Sequence, residues 1–225
     1  MGNNILLEYM NKSLEVKKEV FVQGPVITIS REFGCYASNL AAKLALEMTK
    51  VTSHKWNFVT KEVLEDAAKK LNVRTQEIAH IFGASEKNFL GDLITSFAKK
   101  KYASDSHIKK TITDVVSKYA EQGHCIIVGR AGCVIAKNIA KSLHVRIIAP
   151  FEFRVNEIQN AFKLSKEDAE RMVEETDKHR DVFMSFFKGN EPDANLFDVI
   201  YNKSKLNEDA IVQSIMQLAK ARGLF

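Results

Sequence analysis

Apolar residues along this chain fall into two kinds of pattern. Short, nearly continuous runs at Val26 to Ile29, Trp56 to Val59, Cys125 to Val128, His144 to Ala149 and Phe197 to Tyr201 read as strands. Runs without polar alternation are what strands buried on both faces show. Between the runs, apolar residues recur at three- and four-residue spacing, predicting helices over residues 38–49, 61–71, 107–121, 166–187 and 207–221. Ser165, with Asp168 three residues on, marks the N-cap of the fourth. Residues 4–20 are amphipathic too and end at Gln23-Gly24-Pro25; residues 1–24 are therefore an N-terminal helical extension, packed on its own domain or on a partner subunit. Residues 74–106 give helical pieces broken by Gly83 and Gly91. Strands separated by helices predict an α/β domain, a parallel sheet with helices on both faces.

Composition narrows the picture. With 225 residues, 45% of them hydrophobic, the chain is one medium domain or one domain with a helical insertion. A net charge of +5 and a pI near 9.0 suit a phosphate-bearing ligand. The longest basic run, Lys99 to Lys101, is too short to argue for nucleic acid. Three cysteines without a CxxC pair imply neither a disulfide framework nor a zinc site, and the expected location is cytoplasmic. The sequence has no signal-peptide pattern and no apolar run long enough for a membrane helix.

Candidate chemistry sits in three places. The first is Arg31-Glu32-Phe33-Gly34-Cys35-Tyr36-Ala37-Ser38-Asn39, directly after the first strand and opening a helix. Unsatisfied N–H groups and the macrodipole favour an anion at such a helix start. Gly34 permits a tight turn, Arg31 offers the charge a loop lysine otherwise gives, and Ser38 is placed to reach Mg²⁺. Cys35, at the same helix start, stands where thiolate is favoured. The alternative is a plain strand–helix connection. The second place is Gly129-Arg130, after a buried strand, at the sheet edge where α/β ligands bind; a guanidinium there can clamp a phosphate. The third is Arg154 with Asp177 and Arg180, the latter two on one helix face. These arginines either stabilise charge on a transferring phosphoryl group or belong to a solvated, salt-bridged helix.

In this order the segments resemble the cytidylate kinase-like proteins, a branch of the nucleoside monophosphate kinases. The family pattern I-[ST]-I-[SG]-R-[EQ]-F-G is matched by Ile27 to Gly34, I-[IV]-V-G-R by Ile126 to Arg130, A-P-x-x-x-R by Ala149 to Arg154, the lid D-x-x-R by Asp177 to Arg180, and the closing D-x-x-I-x-x-S-x-L by Asp198 to Leu206. The resemblance implies a three-layer P-loop fold at residues 25–225, with a five-stranded parallel sheet, a helical monophosphate-binding insertion near residues 60–121 and a lid near residues 154–190. It implies that Arg31 and Gly34 to Asn39 hold the ATP phosphates, with Ser38 on Mg²⁺. Gly129 and Arg130 would then hold the acceptor phosphate, and the catalytic set would be Arg154, Asp177 and Arg180. The implied reaction moves the ATP γ-phosphoryl group to a nucleoside monophosphate such as CMP. The chain departs from the family where S-G-G-R is replaced by Cys35-Tyr36-Ala37-Ser38, and Thr60 stands where an acidic residue is usual. A bulky Tyr36 is ill suited to positive φ. The second reading is therefore a non-catalytic kinase-like domain that binds a nucleotide or a protein partner.

Overall fold

In the computed structural model, residues 24–71 and 105–225 are described. The expected N-terminal helix and the helical pieces around Gly83 and Gly91 lie outside the described residues.

Five parallel strands form one sheet in the order β2-β3-β1-β4-β5. They are β1 (Val26–Arg31), β2 (Asn57–Val59), β3 (Cys125–Val128), β4 (Ser142–Ile148) and β5 (Val199–Asn202). β1 is central: Val26 pairs with Cys125 on one side and Ser142 on the other, and Arg31 ends level with Ile147. From β1 the chain travels toward the β2 edge, and from β3 toward the β5 edge. Their carboxyl ends therefore flank the point where connections diverge, the usual ligand crevice of an open α/β sheet.

The helices are α1 (Ala37–Thr52), α2 (Glu62–Leu71), α3 (Asp105–Gln122), the single turn α4 (Gly132–Ile135), α5 (Phe151–Phe162), α6 (Lys166–Lys188) and α7 (Glu208–Ala221). Alternate residues of the strands feed two cores, as a pleated sheet requires. Ile27, Ile29, Ile126, Val128, Leu143, Val145 and Ile147 pack beneath α1 and α7. Val26, Cys125 and Ile127 face the other way, onto α2, α3 and α4. The result is the three-layer arrangement expected from the sequence. A small third core joins α5 and α6 to Phe33, through Val155, Ile158, Ala169 and Val173. It ties the α5–α6 pair to the loop after β1.

Local signals explain the helix ends. Ser165 accepts the Asp168 amide at 3.1 Å and Asn207 accepts the Ala210 amide at 2.9 Å, each capping its helix. The periodicity did not predict α5. Its inner face carries Arg154, 8% exposed, beside Val155 and Ile158, so the apolar stripe is broken by a charge.

Candidate functional site

The loop after β1 is fastened at both ends. Glu32 donates its amide to the Ile147 carbonyl at 3.1 Å and accepts the Ala149 amide on its carboxylate at 3.1 Å. The Cys35 amide closes a turn onto the Glu32 carbonyl at 3.2 Å. Gly34 has φ 88°, and a Cβ there would come 2.9 Å from Arg154 Cβ, so the position needs glycine for both conformation and space. Tyr36, which the sequence suggested would resist positive φ, takes φ 29° and ψ 81° as the residue that begins α1. The turn is therefore made at a cost in strain at Tyr36. Ala37 is buried at the first position of α1, while Ser38 and Asn39 are exposed on the same turn. The thiolate expected at Cys35 is overturned. The sulfur lies in the core, and burial, aided by Glu32, pushes the thiol up to about 11.

Beside this loop the sheet edge gathers three arginines. The Arg31 guanidinium lies over Gly129, where any Cβ would collide with it. Gly129, Arg130 and Ala131 are consecutive left-handed residues, with φ of 73°, 56° and 52°. The first donates its amide to the Ile29 carbonyl at 2.9 Å, anchoring the turn to β1. Arg130 Nε reaches the Thr60 carbonyl at 3.4 Å. From α6, Arg180 Nη1 donates to the Arg31 carbonyl at 3.2 Å and its guanidinium sits 5.2 Å from the centre of the Phe33 ring. Burial, then the charges of Arg180 and Arg130, hold Arg31 well below its ordinary value. Burial and then Arg180 bring Arg130 down to about 10, against an opposing pull from Glu62. Side chains of one sign held this close are stabilised by an anion between them.

Arg154 and Asp177 meet each other beneath the loop after β1. Arg154 lies beneath the loop and donates to the Ala149 carbonyl at 3.1 Å, the Phe33 carbonyl at 3.2 Å and Asp177 Oδ2 at 2.5 Å. Its Nε is also 3.3 Å from Glu32 Oε2. Asp177 Oδ1 accepts the Phe33 amide at 2.7 Å. Both residues brace the loop and dock α6 upon it. A cleft of about 640 Å³ between α5 and α6, lined in part by Glu174, Asp177 and Asp181, includes none of the three clustered arginines. Arg154 and Lys178 line it as well, and burial and the neighbouring Asp177 raise the Asp181 carboxyl there.

A family model for the cytidylate kinase-like family matches residues 26–205. The chain belongs to the cytidylate kinase-like family. No curated protein matches it. Its fold is similar to that of an uncharacterized protein from Eubacterium ventriosum ATCC 27560, at 19% identity and TM-score 0.63, covering 88% of this chain and 98% of that one. It is also similar to that of a shikimate kinase from Bacteroides thetaiotaomicron, at 10% identity and TM-score 0.51, covering 87% and 98%. The parallel sheet and its helical layers are the fold this chain shares with both structures.

Two residues of this cytidylate kinase-like site escaped the sequence reading. Glu62 bends back to accept the Thr60 amide at 2.7 Å, which puts a carboxylate beside Arg130 although threonine follows the strand. Burial raises the Glu62 carboxyl, but the Thr60 hydrogen bonds outweigh it and hold it below 4.5. The Thr-x-Glu spacing at the start of α2 was the available signal. Lys203, after β5, reaches the Cys35 and Tyr36 carbonyls at 3.2 and 3.4 Å; no local pattern announces that contact. Among the described residues no cluster of His, Cys, Asp or Glu could hold an ion alone, whereas the exposed Ser38 hydroxyl fits a Mg²⁺ that arrives with phosphates as its main ligands.

Proposed function

We propose that this chain is a nucleotide phosphotransferase that moves the γ-phosphoryl group of ATP to a nucleoside monophosphate, with CMP or dCMP as acceptor. The observation that carries the reading is the convergence of Arg31, Arg130 and Arg180 at the carboxyl edge of β1 and β3. Arg130 holds the acceptor phosphate, with Gly129 giving it room. Arg31 and Arg180 face the phosphoryl group in transit, where charge on its oxygens is greatest. The turn from Gly34 to Asn39 and the start of α1 cradle the ATP phosphates. Ser38 holds Mg²⁺, which neutralises charge on the bridging phosphates when bound. Arg154 and Asp177 act one step removed, keeping α6 on the loop so that water stays out. Catalysis on this reading is positioning and charge stabilisation. Residues 154–190 serve as the lid and residues 60–121 as the acceptor-binding region. The enzyme acts in the cytoplasm.

The test is a coupled assay with Mg·ATP and a panel of nucleoside monophosphates. Turnover of CMP or dCMP, lost in Arg130→Ala, is the expected result. A second reading, a kinase-like domain that binds without turnover, is favoured by one observation: Tyr36 places a ring, 37% exposed, on a loop whose residues 34–39 carry no cationic side chain. Nucleotide binding without turnover of any monophosphate would select it.

A further inference from the structure

We infer that Lys203 is a positioning residue that clamps the loop after β1 in its anion-binding shape; its effect on nucleotide affinity rests on the function proposed above. Lys203 is anchored at the end of the sheet, where its amide donates to the Ile148 carbonyl at 2.8 Å. Its side chain, 16% exposed, crosses from β5 to the loop. The ammonium donates to the carbonyls of Cys35 and Tyr36 and meets Glu208 Oε1 at 3.2 Å.

Those two carbonyls belong to the peptide planes on either side of the Tyr36 Cα. Fixing both planes fixes φ and ψ at Tyr36, the strained position of the loop. An L-residue with a large side chain is held at positive φ only where its surroundings over-determine it. Tyr36 stands at the N-cap of α1, so Lys203 acts directly on the helix start. In a trans peptide the N–H points opposite to the C=O. With both carbonyls drawn onto Lys203, the Tyr36 and Ala37 amides turn to the other face of the loop. That is the orientation a backbone anion nest requires at a helix start. Glu208, at the first turn of α7, orients the ammonium and offsets its charge. Lys203 therefore acts through geometry more than through added positive potential.

The test is a double-mutant cycle on the full chain, combining Lys203→Met with Tyr36→Gly, and Lys203→Arg as the conservative variant. Glycine at position 36 takes positive φ unaided, so it makes the clamp redundant. In the native background Lys203→Met should weaken Mg·ATP binding about tenfold by calorimetry, leaving the rate at saturating ATP within about twofold. Lys203→Arg should recover part of the affinity. In the Tyr36→Gly background the same Lys203→Met change should cost less than about threefold. Equal losses in the two backgrounds, or unchanged affinity in Lys203→Met, would overturn the proposal. Melting temperatures of the four proteins without ligand provide a readout independent of function. A larger drop on Lys203→Met with tyrosine at position 36 than with glycine supports the clamp, and equal drops sink it. Failure of the native protein to bind Mg·ATP would remove the phosphotransferase reading, and the melting temperatures would still decide for or against the clamp.

Discussion

Asp177 joins the loop after β1 to α5, one carboxylate oxygen accepting the Phe33 amide at 2.7 Å and the other the Arg154 guanidinium at 2.5 Å. Sequence spacing alone placed Asp177 beside Arg180 on a helix face, and the fold gives it a partner 23 residues earlier in the chain.

Asp177→Ala should therefore act mainly on stability. It leaves a buried guanidinium, 8% exposed, with Glu32 as its one remaining carboxylate among the described residues, and leaves the Phe33 amide without its acceptor. Removing one member of a buried pair costs about 3 kcal/mol. Urea denaturation should show a midpoint shift of that size, with Asp177→Asn intermediate because the amide oxygen still accepts from Phe33. A shift near zero would show that the contact contributes nothing net.

Arg130→Ala should separate binding from folding. Arg130 and Ala131 already share left-handed conformations, so alanine adds no new backbone strain. Losing one of three like charges relieves repulsion as well. The melting temperature should hold, while monophosphate affinity falls by at least about 30-fold, the loss typical of a desolvated charge contact. Unchanged affinity by calorimetry would remove Arg130 from the acceptor site.

Glycine substitutions at adjacent loop positions should have opposite signs. Tyr36→Gly relieves a strained φ of 29° and should stabilise by about 1 kcal/mol. Ala37→Gly opens a buried first turn of α1 and should destabilise by about 1 kcal/mol. Thermal melts of the two single variants check the signs. The first variant should also tighten Mg·ATP binding if the tyrosine ring crowds the phosphates.

Alkaline pH should weaken the fold through its buried thiols. Burial pushes Cys35 from 9.0 to about 11 and Cys125 from 9.0 to about 12. Unfolded, both lose their protons near 9.0, so deprotonation favours the unfolded chain as pH rises. Their contribution is complete below pH 9 and is lost as pH climbs through 11 to 12. Urea midpoints measured from pH 8 upward should fall, and the slope should flatten in Cys35→Ala with Cys125→Ala. An unchanged slope would assign the effect to other groups.

Much of the sheet was legible because its strands are uncut apolar runs. Cys125 to Val128 has the bounds the sequence suggested, and Ser165 caps α6 where the acid at the third position said it would. What escaped was set by contacts distant in sequence. α5 hid because its inner face buries Arg154, whose partners Phe33 and Asp177 lie 121 and 23 residues away. Lys203 touches a loop 168 residues earlier. Cys35 misled for the opposite reason: helix-start electrostatics are local and readable, whereas the burial that defeats them belongs to the tertiary structure.

Helix α6 reaches the first loop through main-chain groups: Arg180 binds the carbonyl of Arg31, and Asp177 the amide of Phe33. A latch on the main chain is indifferent to the side chain it passes. Position 31 is thus modular, its backbone serving closure and its guanidinium facing the crevice. An engineer can rewrite the charge there without unfastening the helix above it.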